Sequence, residues 1–342
     1  MNVKRVLMAL AIGLAIVSDV AAQDLFAQGL GSSFRKVKDG IYVFVGKVRV
    51  PPDPERDSNV GVIVTQDGVV LIDTGENPFE ARKVQAEIKK LTTQPVKFII
   101  LTEPHLDHYT GSFLYPGATV ITQGPGIRSM QLNAKGNDPG RLQAVIKEHG
   151  EEGRKAGEGY KFVIPQVAMD ESMTLQVGER TLELMHMKDI HSEGDIAIWL
   201  PNERVLFSAG GLVPDQFPIL RTFVTVPDLF DAADKLTALN PEIVIPGHGI
   251  PGTVKIFEDS RKYWLTLLDR VAGMIMAGKN LATIQKEIKL PEYDHFGSKN
   301  RFGGNVEMAF MAICSPRAVY RIYGNDRSKD GWAGGGPCRI RP

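Results

Sequence analysis

The sequence predicts an α/β fold in which helices follow a sheet-rich region. Apolar runs at 69–72 and 96–101 flank a stretch of helical periodicity at 79–91, which is the pattern of a strand, helix, strand unit. A helical pattern at 228–239 and a short apolar strand at 243–245 repeat that order in the second half. Beyond that strand the periodicity is helical, so we expect a C-terminal helical extension.

The composition is that of an ordinary globular chain. Its 342 residues, 43% hydrophobic and 23% charged, are enough for one large domain or two small ones. The 40 basic and 40 acidic residues give a net charge of zero, which disfavours nucleic acid or an anionic membrane as a partner. We therefore expect a small-molecule substrate, and the sequence leaves the oligomeric state open.

The N-terminus has the pattern of a secretory signal peptide. Lys4 and Arg5 precede an apolar stretch at 6–17, and small residues follow up to Ala22, after which we expect cleavage. About a dozen apolar residues are too few to span a bilayer, which needs about twenty. We therefore expect a periplasmic or secreted protein with no stable membrane anchor after cleavage, and a linker at 23–33.

The two cysteines lie near the C-terminus, at Cys314 and Cys338. An exported protein is able to join them in a disulfide, and the alternative is a pair of free thiols. We divide the mature chain into one domain at 34–252 and a set of helices with a tail at 253–342 that packs on the same domain. A proline-rich stretch at 47–57 is the candidate lid.

A cluster of metal-binding side chains follows the apolar run at 96–101. Glu103, His105, Asp107 and His108 lie within six residues of one another. An apolar run that ends in imidazoles and carboxylates indicates a buried strand that delivers ligands into the loop at its carboxyl end. The cluster therefore predicts part of a metal site.

His191 and His248 also come directly after predicted strands, each beside glycine or a carboxylate. One isolated histidine is more often structural than a ligand, but four histidines at strand ends together predict a metal site. Asp73 ends another strand and is followed by Thr-Gly. It is either a turn former or a support for the site at the edge of the sheet.

These motifs resemble those of the metallo-β-lactamase fold superfamily, from about residue 34 to 252. The resemblance is carried by the segments 71–75 and 103–108, by His191 with Gly194-Asp195, by the strand 205–207 and by the segment 246–249. It implies an αββα sandwich with a two-metal site, usually zinc, at one edge of the paired sheets.

The resemblance also implies a role for each ligand. His105 and His191 would bind the first ion, while Asp107, His108 and His248 would bind the second. A zinc-bound water has its pKa lowered towards 7, which gives hydroxide as the nucleophile. Asp107 would both hold a metal and orient that water, and is therefore a catalytic candidate.

Two positions depart from the superfamily's pattern. Glu103 replaces the first histidine of the motif, and Gly211 stands where a metal-bridging aspartate commonly follows the strand 205–207. We hypothesise that Glu103 is a catalytic-site metal ligand that bridges in place of that aspartate, with Asp73 supporting the ligands from behind. The alternative is a weakened first site and one bound ion, and a site richer in carboxylate also raises the case for iron or manganese.

The resemblance favours a metal-dependent hydrolase, with zinc as the expected cofactor. Metal-bound hydroxide would attack an ester, lactone, amide or β-lactam, so β-lactamase activity is one of the alternatives. An iron-dependent oxidoreductase of the same fold, similar to the sulfur dioxygenases, is a second candidate. A binding protein on a degenerate site is the third.

Overall fold

The computed structural model of this chain describes residues 32–49, 55–136, 138–188, 190–219 and 225–314. The predicted signal peptide, nearly all of the linker and the C-terminal tail lie outside the described residues. Cys314 is in a disulfide, and Cys338 lies outside the described residues. Within the part of the chain that is described, no helix is long and apolar enough to cross a membrane.

The strands form two mixed sheets and one small hairpin. The larger sheet has the order β1-β2-β5-β6-β7-β8-β9, the smaller β10-β11-β12-β13-β14, and β3 pairs with β4. The strands are β1 Ser33–Lys38, β2 Ile41–Val45, β3 Val48–Arg49, β4 Glu55–Arg56, β5 Val60–Thr65, β6 Gly68–Ile72, β7 Val96–Ile100, β8 Thr119–Gln123, β9 Val167–Met169, β10 Ser172–Val177, β11 Arg180–His186, β12 Ile196–Leu200, β13 Val205–Phe207 and β14 Ile243–Ile245.

Helices cover the outer face of each sheet. The α-helices are α1 Pro78–Leu91, α2 Leu106–Tyr109, α3 Gly124–Gly136, α4 Asp138–Ala156, α5 Val226–Ala238, α6 Lys255–Met276, α7 Leu281–Glu287 and α8 Phe302–Cys314. One apolar core lies between the two sheets, a second lies between the larger sheet and α1, and a third joins the smaller sheet to the C-terminal helices. The layers are therefore helix, sheet, sheet, helix, which confirms the predicted αββα sandwich.

Parallel pairing brings several strand ends to one edge of the sandwich. In the larger sheet β6, β7 and β8 run parallel, with Ile72 opposite Ile100 and Ile100 opposite Ile121. In the smaller sheet β13 pairs with β14 in parallel, and Phe207 lies opposite Ile245. Since the loops that follow parallel strands leave the sheet at the same edge, the motifs after β6, β7, β13 and β14 meet there.

Hydrogen bonds join the two sheets at this edge. The amide of Ile196, at the start of β12, donates to the carbonyl of Thr102 just after β7, at 2.8 Å. The amide of Asn59, just before β5, donates to the carbonyl of Gly247 just after β14, at 2.8 Å. The edge that carries the ligand motifs of both halves is therefore a fixed seam between the sheets.

The predicted strand, helix, strand units and the C-terminal helices are confirmed. The segment at 124–160 carries α3 and α4 over most of its length. The longer helix is interrupted at Gly150, which has a φ of 57°. The region's glycines therefore mark a kink and helix ends within a helical excursion. The predicted lid at 47–57 carries the small β3–β4 hairpin, with its tip outside the described residues.

A substitution at Gly61 tests the contact between the two sheets. A Cβ at Gly61 in β5 would overlap the ring of Phe207 in β13. Overpacking a closed core costs about 1–3 kcal/mol, so we expect Gly61→Ala to lower the free energy of unfolding by about that amount in denaturant titrations. The matched control is Gly273→Ala in α6, where no described atom lies within 4 Å of the added Cβ. That change is expected to raise stability slightly, and an equally stable Gly61→Ala would contradict the packing described.

Candidate metal centre

Asp73 holds the ligand-bearing loop that follows β7. Its carboxylate accepts hydrogen bonds from the amide of Thr102 at 2.8 Å and from the hydroxyl of Thr102 at 2.7 Å. It also accepts one from Nδ1 of His108 at 2.8 Å. Asp73 itself has a φ of 61°, in the left-handed region. The residue after β6 thus ties the loop to the neighbouring strand and sets the ring of His108.

One group of ligand atoms has the spacing of a metal tripod. Oδ2 of Asp107 lies 3.3 Å from Nε2 of His108 and 3.3 Å from Nε2 of His248, and the two Nε2 atoms are also 3.3 Å apart. Ligands at the roughly 2.0–2.1 Å typical of zinc, arranged tetrahedrally, are separated by about 3.3–3.4 Å. These three side chains therefore fit one zinc ion, with Oε1 of Glu103 3.1 Å from Nε2 of His108.

A second group lies on the other side of Glu103. Oε2 of this residue is 2.5 Å from Nδ1 of His105 and 3.0 Å from Nε2 of His191. Glu103, His105 and His191 together place one ligand atom each within 4.8 Å of one another, as do Glu103, His108 and His248. The two groups share the glutamate, so the donor set fits two neighbouring cations.

In three of the histidines, the ring nitrogen that faces away from the site makes a hydrogen bond. Nδ1 of His108 donates to Asp73, Nδ1 of His248 donates to the carbonyl of Arg56 at 2.9 Å, and Nδ1 of His191 donates to the carbonyl of Ile219 at 3.0 Å. With the proton held at Nδ1, Nε2 of each neutral ring presents its lone pair to the site. This is the tautomer that binds a metal.

Asn59 fixes the loop that carries His248, and the sequence analysis did not single it out. Its side-chain amide donates to the carbonyls of Pro246 and Gly249, both at 2.8 Å, and its side-chain oxygen accepts from the amide of Gly46 at 3.0 Å. One polar residue before an apolar strand is a weak signal. Its role follows from the distant carbonyls that the fold brings to it.

In the absence of a cation, Glu103 and Asp107 have lowered pKa values, and His108 and His248 have raised pKa values. Burial alone would raise the pKa of Glu103, but His108 and His191 outweigh it and hold that pKa well below its usual range. Burial alone would lower the pKa of His108, but Glu103, Asp73 and Asp107 raise it well above its usual range. The surplus of negative charge around His108 is what a bound cation would neutralise.

The ligands open into a pocket of about 120 Å³. Asp107 and His105 lie on its floor, and three arginines that the sequence analysis had not selected, Arg56, Arg141 and Arg301, line its wall. The lining residues are Arg56, Glu76, His105, Asp107, Arg141, His191, Gly210, Val213, Gln216, Ile219, His248 and Arg301. A substrate that reaches the ligands therefore passes an arginine-rich wall.

The structure brings together all the predicted site residues. The six candidate ligands form two adjoining groups that share Glu103, and the carboxylate of Asp73 contacts Nδ1 of His108. Gly211 is placed differently from its neighbour, because a Cβ there would meet Ile190, whereas a Cβ at Gly210 would meet Glu103.

Metal binding at this site is expected to release protons. Because the pKa of His108 is raised well above its usual range, its ring is protonated at neutral pH in the metal-free protein, and a cation has to displace that proton. Apparent zinc affinity is therefore expected to rise with pH around neutrality. Calorimetric titration in two buffers of different ionisation enthalpy measures the number of protons released.

Removing the charge of Asp73 is expected to lower the number of protons released on zinc binding, because Asp73 is one of the groups that raise the pKa of His108. We expect Asp73→Asn to release fewer protons per zinc, while Asp259→Asn, an exposed carboxylate in α6, behaves as the parent protein. Identical binding enthalpies in both buffers would show that the histidines are already neutral.

The chain matches the model of the Metallo-beta-lactamase superfamily over residues 53–248. It belongs to that superfamily, as the layered fold and the ligand cluster at one sheet edge also indicate. The resemblance that the motifs carried is thereby confirmed.

Two curated relatives are 25% identical to this chain over the aligned residues. The linear primary-alkylsulfatase of Pseudomonas sp. (strain ATCC 19151) is 25% identical over 267 residues, which cover 68% of this chain and 50% of the relative. The 2,4-dinitroanisole O-demethylase subunit alpha of Nocardioides sp. (strain JS1661) is 25% identical over 241 residues, covering 68% of this chain and 66% of the relative. The chain thus spans only about half to two thirds of their lengths.

Solved structures share the fold at lower identity. The inverting sec-alkylsulfatase Pisa1 from Pseudomonas sp. has a TM-score of 0.63 and 17% identity, and the match covers 90% of this chain and 52% of that one. A metallo-beta-lactamase family protein from Thermus thermophilus has a TM-score of 0.53 and 20% identity, covering 70% of this chain and 84% of that one. At these identities the likeness establishes the architecture alone.

Proposed function

We propose that this protein is a zinc-dependent hydrolase of esters that carry an anionic group, with sulfate monoesters as the leading class. The observation that carries the proposal is the pocket, which is lined by ligands from both groups and by three arginines. The names of the alkylsulfatases among its relatives support the same substrate class.

The donor set suits zinc. Imidazole and carboxylate ligands bind this ion at neutral pH, and the 3.3 Å separations within the Asp107 group match its tetrahedral preference. When bound, zinc supplies Lewis acidity and lowers the pKa of a water molecule towards neutrality. His108 and His248 would hold one ion through Nε2, and His191 would hold the second ion through Nε2.

Asp107 is placed to handle the attacking water. Its Oδ2 faces His108 and His248, while its Oδ1 is turned towards Arg141, at 3.8 Å from the guanidinium. Burial would raise the pKa of Asp107, but His108 and His248 keep it well below its usual range, so the residue is a carboxylate at neutral pH. We propose that Oδ1 accepts a hydrogen bond from the attacking water and orients it.

The arginines are placed to bind the anionic group of the substrate. Arg141 projects from α4 and lies 3.6 Å from Oε1 of Glu76, whose carboxylate holds the guanidinium at the mouth of the pocket. Arg56 presents its side chain to the pocket while its carbonyl supports His248. A planar guanidinium is able to donate two parallel hydrogen bonds to a sulfate, phosphate or carboxylate group.

The test begins with elemental analysis of the purified protein and a panel of substrates. The panel holds an alkyl sulfate, 4-nitrophenyl sulfate, neutral 4-nitrophenyl acetate and nitrocefin, each with and without a chelator. We expect zinc in the protein and chelator-sensitive hydrolysis of the sulfates, with kcat/KM about tenfold or more above that of the neutral ester. Nitrocefin turnover without sulfatase activity would select the β-lactamase alternative.

Two other results would overturn the proposal. Iron in place of zinc, with oxygen consumption and no ester hydrolysis, would favour the oxidoreductase alternative, which the carboxylates among the ligands also permit. Binding of zinc without turnover of any panel member would favour a binding protein.

Replacing Arg141 tests the recognition of the anion. Loss of one charge-assisted hydrogen bond costs about 1.5–3 kcal/mol, so we expect Arg141→Ala to lower kcat/KM for a sulfate ester by about ten- to a hundredfold. The neutral ester is expected to change much less. The matched control is Arg154→Ala on the same helix, where an exposed arginine pairs with Glu151 away from the pocket. An equal loss for charged and neutral esters would instead indicate a disturbed ligand set.

A further inference from the structure

We propose that Glu103 bridges two metal ions, one through each carboxylate oxygen, and that Gly210 is the residue that makes room for it. The two oxygens face different ligand groups. Oε2 is 2.5 Å from Nδ1 of His105 and 3.0 Å from Nε2 of His191, while Oε1 is 3.1 Å from Nε2 of His108. This assignment rests on the proposed metal-dependent function and defines how its two ions are linked.

Among the described residues, Oε1 has His108 as a charged neighbour but accepts no hydrogen bond. The side chain of Glu103 has no exposed surface, and among the described residues Oε1 has no hydrogen-bond donor in bonding geometry. A buried carboxylate oxygen without a hydrogen bond carries a large desolvation cost. A cation held between Oε1, His108 and His248 offsets that cost, and Oε2 has the equivalent place beside His105 and His191.

Gly210 borders this carboxylate directly. A Cβ at Gly210 would lie 2.5 Å from Oε1 of Glu103 and 3.3 Å from Cδ2 of His191. Any side chain at this position would therefore displace Oε1 from the place between the two groups. The pocket side of the glutamate is open because position 210 is glycine.

The backbone at Gly210 has little freedom to move away from a larger side chain. The amide of Gly247 donates to the carbonyl of Ala209 at 2.7 Å, and Ala209 has a φ of 57° in the left-handed region. A Cβ at Gly247 would lie 2.9 Å from both the carbonyl carbon of Ala209 and the amide nitrogen of Gly210. The two loops after β13 and β14 are thus packed backbone to backbone. A side chain at position 210 would therefore displace the carboxylate of Glu103 rather than the backbone.

Gly211, the next residue in the sequence, provides a control. The three atoms nearest to a Cβ there all belong to Ile190, with Cδ1 and Cγ1 at 2.9 Å and the carbonyl oxygen at 3.3 Å. Ile190 is a fully buried apolar residue, so Gly211→Ala disturbs packing against it rather than against Glu103. The pair of substitutions separates a general packing effect from a displacement of Glu103.

The experiment uses the full protein loaded with cobalt(II) or manganese(II). Stoichiometry is measured by elemental analysis, and magnetic coupling between neighbouring ions is measured by electron paramagnetic resonance, since a carboxylate bridge couples the spins. We expect two coupled ions in the parent protein and in Gly211→Ala. In Gly210→Ala and Glu103→Ala we expect loss of coupling and a fall towards one ion per chain.

Circular dichroism establishes that each variant is folded. The metal-free stabilities then form a double-mutant cycle: Gly210→Ala is expected to destabilise the parent protein and to be close to neutral in a Glu103→Ala background, because the atom that it would strike is gone. Equal destabilisation in both backgrounds would overturn the pairing of Gly210 with Glu103.

The proposed metal bridge through Glu103 and the proposed hydrolase activity are tested separately. Two uncoupled ions in an active parent enzyme would overturn the bridge and leave the hydrolase standing. Two coupled ions in a protein that hydrolyses no panel member would leave the bridge standing and overturn the hydrolase.

Discussion

A carboxylate with no exposed surface, that of Glu103, imposes the main electrostatic constraint on this fold. A charge removed from water is stable only when opposite charge or hydrogen-bond donors surround it. Nitrogen atoms of His105, His108 and His191 lie 2.5–3.1 Å from its two oxygens. Those histidines follow strands of both sheets. The electrostatic interactions of Glu103 therefore also connect the two halves of the sandwich.

The scaffold holds these side chains before any ion binds. Asp73 and Asn59 connect the loops to neighbouring strands, and the hydrogen bond between Ile196 and Thr102 closes the seam between the sheets. Ligands held by side chains whose own orientation is fixed need little rearrangement on binding. The six candidate ligands are therefore a preorganised set, and a bound cation would relieve the electrostatic cost of keeping them together.

Much of the architecture is readable from the sequence, because alternating or continuous apolar runs specify strands whatever their partners are. The ligands are readable because imidazoles and carboxylates at strand ends have few structural uses. The α3–α4 excursion is hard to predict because its glycines mask helical periodicity. The three-residue strand β9 is equally hard to predict because it is short and exists through its pairing with β8.

The arginines of the pocket wall could not be selected from the sequence. Arg56, Arg141 and Arg301 come from three separate elements, and an arginine in a charged stretch is most often a solvated surface residue. The spatial relation of Glu103 to Gly210 was equally hidden. The sequence pointed to the neighbouring Gly211 as the altered position, and only the course of the backbone after β13 distinguishes the two glycines.

Two of the candidate ligand histidines, His248 and His191, are oriented by main-chain carbonyls, those of Arg56 and Ile219. A carbonyl is present whichever amino acid occupies the position, so the side chains at 56 and 219 are free to change without loss of the histidine's support. Both side chains line the pocket. Natural variation at these two positions is therefore able to alter which molecules enter while the reactive centre stays intact, a separation that lets one scaffold diversify its substrates during evolution.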